Sequence, residues 1–170
     1  MLIRPIESTD MPAAARLLRE LAREFIVHES SHEEACTFLR ENDEDGIRAY
    51  VAAGHVYHVA CVGGELAGFV AVRDGSHLFH LFVAKCWQRQ GVARQLWAVA
   101  REAALAAGNP GIFTVNSSKF ARSLYESFGF VPTAPLQCKN GIWFHPMQLT
   151  LAVKSDPLSA PRQGGATTSC

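Results

Sequence analysis

The chain lacks charge imbalance, paired cysteines and long apolar runs, and each lack removes a class of protein. Its 170 residues carry 16 basic and 16 acidic side chains, a formal net charge of zero. Nucleic-acid phosphates call for a concentrated basic surface, and no arginine or lysine stripe is present, so neither nucleic acid nor an acidic membrane is an expected partner. No apolar run approaches the ~18 residues that mark a membrane-spanning helix. The opening MLIRPIESTDMPAAARLL has neither the basic region nor the unbroken apolar core of a signal peptide, and a cytoplasmic location is expected. Cys36, Cys61, Cys86, Cys138 and Cys170 are scattered, odd in number and without a C-x-x-C pair. That spacing supports neither a disulfide framework nor a thiolate zinc site, so free thiols and no metal are expected, with Cys170 the reactive exception.

What is present is a core's worth of apolar residues, 48% of the chain, enough for one globular domain. LIRPI reads as an edge strand, because Pro5 cannot donate to an inner ladder. STDMPAAARLLRELAREF reads as a helix capped at Thr9 or Asp10, with Pro12 in its first turn and an apolar stripe of Leu17, Leu18, Leu21 and Phe25. A second helix starts at an SxxE box, Ser30 to Glu33, and breaks at the acidic stretch from Asn42 to Asp45. From residue 55 the period changes to two. HVYHVACVGGELAGFVAVRDGSHLFHLFVA predicts three antiparallel strands joined by tight turns at Gly63-Gly64 and Asp74-Gly75.

A helix from about Val92 to Ala107 ends at Gly108-Asn109-Pro110, and is followed by the strand GIFTVN, the helix SKFARSLYESFG, a strand at FVPT and a last strand GIWFHPMQLTL. This order predicts an α+β fold with three α/β/α layers and a mixed, mostly antiparallel sheet. One βαβ crossover joins strand 77–83 to strand 111–116. The domain is expected to run over 1–153, and the Pro/Gly/Ser-rich tail 154–170 to be disordered.

One short stretch carries chemistry. AKCWQRQGVARQLW, residues 84–97, leads from a strand into a helix through Gly91. The first amides of a helix have no intrahelical partners, and a glycine there lets an anion approach the backbone. Gln88, Arg89, Gln90, Gly91, Val92 and Ala93 present such amides, with the Arg89 and Arg94 side chains alongside. A tight turn with close helix packing is the alternative explanation of one glycine, and the segment matches neither G-x-G-x-x-G nor G-x-x-x-x-G-K-[ST].

QRQGVA resembles the acyl-coenzyme A signature [Q/R]-x-x-G-x-[G/A] of the GNAT superfamily of N-acetyltransferases, with Gln88, Gly91 and Ala93 at its defined positions. VNSSKFARSLYESFGFVP is similar to the family's strand-helix-strand with its N…A..LY…GF pattern. Two motifs at this separation make the resemblance specific, and it covers residues 1 to 151. It implies a splayed parallel strand pair, with acetyl-coenzyme A as a substrate whose pyrophosphate meets the loop at Gln88–Ala93. The pantetheine arm would lie beside Leu81, Phe82 and Val83, with Asn116, Ser118 and Arg122 across the cofactor. Ala93 in place of the commoner glycine and the bulky Trp87 are this chain's departures from the family pattern.

The resemblance also implies acetyl transfer to a primary amine of a small molecule or peptide, by direct attack in a ternary complex. A protein N-terminal or lysine acetyltransferase and a non-catalytic acyl-coenzyme A sensor are the alternatives, and a homodimer is compatible with all three. Tyr125 sits beside a helical stripe of Phe120, Leu124 and Phe128. Its hydroxyl either bonds to backbone or, as the family implies, protonates the leaving thiolate. For the base, His77, His80 and an ordered water are all open. Being three apart in a strand, the two histidines point to opposite faces unless a bulge intervenes. His55 and His58 are read as strand surface residues. The acceptor is expected between Glu29–Glu44 and the loop Pro135–Gly141. There Glu33, Glu34, Glu41, Asp43, Glu44 and Asp45 either attract a cation or only solvate the surface.

Overall fold

The period-two stretches form strands and the apolar stripes form helices in a computed structural model of the chain, which describes residues 1–152. The expected domain end at 153 and the tail 154–170, with Cys170, lie outside the described residues. The chain opens with β1 (Leu2–Pro5), α1 (Met11–Phe25), α2 (His32–Glu41) and α3 (Glu44–Ala52), and continues through β2 (Val56–Val62), β3 (Glu65–Arg73) and β4 (His77–Val83). It then runs through α4 (Val92–Ala106), β5 (Ile112–Ser117), α5 (Arg122–Ser127), β6 (Val131–Pro132), β7 (Gln137–Lys139) and β8 (Ile142–Thr150).

The strands lie in the order β1-β2-β3-β4-β5-β8-β6, with β7 paired to β8. Among the described residues only β4 and β5 run parallel. The helices divide between the two faces of this sheet. Leu18, Ala22 and Ile47, from α1 and α3, pack on Tyr57, Val59, Phe69 and Ala71. On the other face Leu96, Trp97 and Ala100 of α4 pack on Val70, Leu78, Phe113 and Met147. Alternating side chains in β2 and β3 feed both cores, which is why these strands are apolar almost throughout.

Several local details differ from the expectations. Asp10 does not cap α1: its carboxylate accepts from the Glu7 amide at 2.8 Å and from Arg4 at 2.6 and 2.9 Å. The box of α2 is Ser31–Glu34, one residue later than Ser30–Glu33. SSHEE contains two overlapping boxes, and a long-range bond breaks the tie, because the Ser30 hydroxyl donates to the Gly141 carbonyl at 2.7 Å. The break after α2 is a helix boundary, with the Asp43 carboxylate accepting from the Gly46 amide at 2.9 Å. His58 is buried between β1 and β3 rather than at the surface, and His55 stacks on Tyr50. The expected loop 135–141 is a hairpin, β7–β8, turning at Asn140-Gly141 with positive φ at both residues.

The helix expected to start at Ser118 begins at Arg122. Phe120 therefore precedes it, 58% exposed and stacked on Phe25 with ring centroids 4.0 Å apart. Tyr125, not the Phe120–Leu124–Phe128 stripe, is the side chain that α5 buries.

Candidate functional site

The β4–β5 pair opens the molecule. These strands pair only at His77–Thr114 and Leu78–Val115, and beyond those two positions they part. On its other side β4 stays paired to β3 as far as Val83. The gap leads into a cavity of about 1010 Å³, lined from Phe79 to Val83 on β4, by Asn116 and Ser118 after the split, and by Leu124 and Tyr125 of α5. Splaying a parallel pair leaves one row of β4 backbone groups without a sheet partner, free for a ligand.

The loop after β4 forms the rim. The Gln88 side chain donates to the Val83 carbonyl at 3.0 Å, tying the loop to the end of the strand. The Gln88 amide is itself occupied, donating to the Lys85 carbonyl at 3.3 Å. The amides from Arg89 to Arg94, in contrast, have no partner among the described residues. Arg89 and Gly91 both take positive φ, 59° and 80°. A Cβ on Gly91 would meet nothing closer than Gln95 Nε2 at 3.8 Å, so the glycine is there for its backbone angle and the open space above it, not for helix packing. Arg94 is steadied over the Phe128 ring at 5.4 Å. The row of free amides, the positive end of α4 and two arginines give this rim the chemistry that suits a phosphate-bearing ligand.

Most of the expected cofactor residues converge here. Leu81, Phe82, Val83, Gln88, Arg89, Gly91, Val92, Ala93, Arg94, Asn116 and Ser118 line the cavity, while Gln90 and Arg122 do not. The Gln90 side chain donates to the Cys86 carbonyl at 2.8 Å, and Arg122 donates to Glu126 at 2.8 Å. The Ser118 hydroxyl accepts from the Ala121 amide at 3.2 Å, which shapes the turn before α5.

Tyr125 is 6% exposed, and its hydroxyl has no hydrogen-bond partner among the described residues. It is absent from the buried partnerless atoms, so the hydroxyl opens to the cavity rather than being sealed in the core. Burial pushes its pKa up, which keeps the phenol protonated.

A bulge in β4 decides the histidines. His80 pairs with Ala71 and Leu78 with Val72, which leaves Phe79 as the extra residue. Phe79 and His80 consequently lie on one face, their rings stacked with centroids 4.2 Å apart. Leu78 belongs to the α4-side core, so His77 points to the opposite face, the one that His80 shares. Both rings line the cavity. His77 Nδ1 lies 2.8 Å from Thr114 Oγ1, and burial, with Arg73 adding to it, lowers its pKa to about 4. His80 Nδ1 lies 3.0 Å from the Tyr57 hydroxyl, and burial lowers its pKa to about 3. Both rings are neutral at pH 7.

The far end of the cavity is walled by α2 and the β7–β8 hairpin. Glu33, Glu34, Thr37, Phe38, Glu41 and Asn42 line it from one side, and Lys139, Asn140, Trp143 and Phe144 from the other. The two walls are tied by the Ser30–Gly141 bond and by the Glu34 carboxylate lying directly over Gly141, while a Lys119–Glu29 ion pair joins the segment before α5 to the α1–α2 connection. Of the six acidic candidates, Asp43, Glu44 and Asp45 are elsewhere, beside a shallow depression with Arg16 and Arg19. Phe25, Tyr50, Arg73, Phe79, Trp143 and Phe144 were not expected at the site. They come from separate elements, and no local pattern marks them. Among the described residues no cluster of His, Cys, Asp and Glu could hold a metal ion, and no helix is long and apolar enough to cross a membrane.

Comparisons with known proteins agree with this fold. The family model described as acetyltransferase (GNAT) domain matches residues 26–151. A GCN5-related N-acetyltransferase from Rhodopseudomonas palustris superposes with a TM-score of 0.75 at 21% identity, covering 88% of this chain and 95% of that one. The PaiA N-acetyltransferase of Thermoplasma acidophilum, solved in complex with coenzyme A, gives 0.71 at 14% identity, with 88% and 98% coverage. The yncA protein of Salmonella typhimurium, solved with its cofactor acetyl-CoA, gives 0.63 at 21% identity, with 94% and 99% coverage. No curated protein matches this sequence.

Proposed function

Because the chain belongs to the GNAT acetyltransferase family, we propose that it transfers the acetyl group of acetyl-coenzyme A to a primary amine of a small molecule or peptide, by direct attack in a ternary complex. The observation that carries this reading is the run of unpartnered amides from Arg89 to Arg94, opening on the same cavity as Tyr125 and His77. Acetyl-coenzyme A, when bound, supplies the electrophilic thioester.

The chain's own residues supply binding and proton transfer. The Arg89–Arg94 amides and two arginines hold the pyrophosphate, and free β4 backbone groups from Phe79 to Val83 take the pantetheine arm. In the tautomer in which His77 Nδ1 donates to Thr114 Oγ1, Nε2 keeps the lone pair that accepts a proton from the incoming ammonium. As the new C–N bond forms and the C–S bond breaks, Tyr125 gives its proton to sulfur and is reprotonated by the second proton that the nitrogen sheds, the first having left through His77, so the products are an amide, a free thiol and one proton released to solvent. Exposed free thiols at Cys36, Cys86 and Cys138 suit a reducing, cytoplasmic setting.

A thiol-release assay with acetyl-coenzyme A against a broad panel of amines tests the reading. Release that depends on an amine is the expected result. Tight cofactor binding with no release across the panel would make the protein an acyl-coenzyme A sensor. Release only with protein N-termini or lysines would reassign the acceptor class.

A further inference from the structure

Tyr57 is 3% exposed, and its hydroxyl has one partner among the described residues, His80 Nδ1 at 3.0 Å. A buried phenol must place its proton somewhere. If Nδ1 carried a hydrogen and donated to Tyr57, the phenolic proton would be stranded without an acceptor in the α1-side core, which is unfavourable. The only arrangement that satisfies both groups has Tyr57 donating to Nδ1. In a neutral imidazole the remaining hydrogen then belongs to Nε2. Burial holds His80 neutral and Tyr57 protonated, and the rings around His80 are Tyr50, Tyr57, Phe69, Phe79 and Phe82, with no carboxylate to stabilise an imidazolium. Nε2 has no partner among the described residues, yet it is not sealed from solvent, and His80 lines the cavity. Its N–H is therefore presented to whatever fills the cleft.

We propose that His80 is a hydrogen-bond donor to a carbonyl-type oxygen of the bound reactants, locked in the Nε2–H form by Tyr57, which acts as its positioning residue. The two histidines of β4 thereby differ in role: His77 keeps a lone pair for a proton, whereas His80 offers one. This rests on the acetyl-transfer reading for the identity of the reactants, but the state of the ring does not. The oxygen belongs either to the thioester or to the acceptor.

Long-range 15N–1H NMR on histidine-labelled full-length protein tests the proposal, with His80 assigned by its loss in His80→Asn. The expected result is an Nε2–H tautomer from pH 5 to 8 in the wild type, and a mixed or Nδ1–H signal in Tyr57→Phe. Titration with acetyl-coenzyme A against coenzyme A reads the thioester oxygen. Titration of the coenzyme A complex with an amino-acid amide against the matching alkylamine reads an acceptor oxygen. One of these pairs should move the His80 Nε2–H resonance for the carbonyl-bearing member only, and that member should bind at least about tenfold tighter to wild type and to His80→Gln, but not to His80→Asn. Gln carries an amide N–H at about the reach of Nε2, and Asn does not. An Nδ1–H tautomer in the wild type, or an Nε2–H that ignores both pairs, overturns the proposal. Absence of acetyl transfer alongside the expected tautomer and shifts would count against the acetyl-transfer reading alone.

Discussion

The two ends of the cleft are built in opposite ways. At the β4–α4 end the groups open to a ligand are backbone amides, contiguous in sequence, held by one turn and the start of one helix. At the α2–hairpin end the lining is side chains from α2, α3, β3, β4 and β8, and the walls are joined by single long-range contacts such as Ser30–Gly141. The first is a local device that one residue can abolish. The second is a surface on which each residue carries a small part, so recognition there can change without touching the fold.

The sharpest way to break this comparison is Gly91→Asp. It places a β-carbon at a φ of 80° and a negative charge beside the pyrophosphate seat. Acetyl-coenzyme A affinity should fall by on the order of a hundredfold or more in a variant that remains folded, by titration calorimetry. Wild-type affinity in a folded variant would remove this loop from the site. Next in size is Tyr125→Phe. The ring keeps its contacts with Phe128 and Phe130, while loss of a positioned acid slows the chemical step by roughly a hundredfold. Single-turnover acetyl transfer is the measurement, because product release can mask the step in steady state, and a rate within about twofold of wild type would leave Tyr125 a packing residue.

His77→Ala follows, with about a tenfold or greater loss of rate at neutral pH and little change in cofactor affinity. Its pH behaviour has a definite sign. With the folded pKa of His77 lowered to about 4, the neutral base persists well below the usual histidine range, so the acidic limb that it contributes to the rate should have its midpoint near 4. The same depression means that the unfolded chain binds the proton first. The associated stability is fully present above the unfolded value of ~6.5 and is lost as pH falls toward 4. His77→Ala should flatten that fall in a melting-temperature series, and an unchanged slope would contradict the burial of this ring. The smallest effect is expected at Arg122. Its guanidinium is engaged with Glu126 on an exposed helix face, so Arg122→Ala should alter acetyl-coenzyme A affinity by less than about twofold. A larger loss would mean that the ion pair opens to meet the cofactor.

The strand–turn–helix geometry of the proposed phosphate seat was legible because its determinants are local. A strand, a polar turn, a left-handed glycine and a helix start need only the residues from 77 to 97, and the period and turn chemistry of that stretch state them directly. The meander with its Gly63-Gly64 and Asp74-Gly75 turns, and the single crossover that makes β4 and β5 parallel, were determined in the same way. What tertiary structure alone decided is whatever depends on one missing or extra partner. The β4 bulge turns His77 and His80 to the same face because β3 cannot match Phe79, a mismatch between strands that neither strand records. Ser31 caps α2 rather than Ser30 because Gly141, more than a hundred residues away, engages the other hydroxyl. Tyr57 sets the proton on His80 through a contact across 23 residues of sequence. Period and propensity act over a helical turn or a strand pair, whereas the α2 and hairpin walls of the cavity, the aromatic enclosure of His80 and the choice between two equivalent caps are settled by pairings whose energies exist only once the sheet has formed.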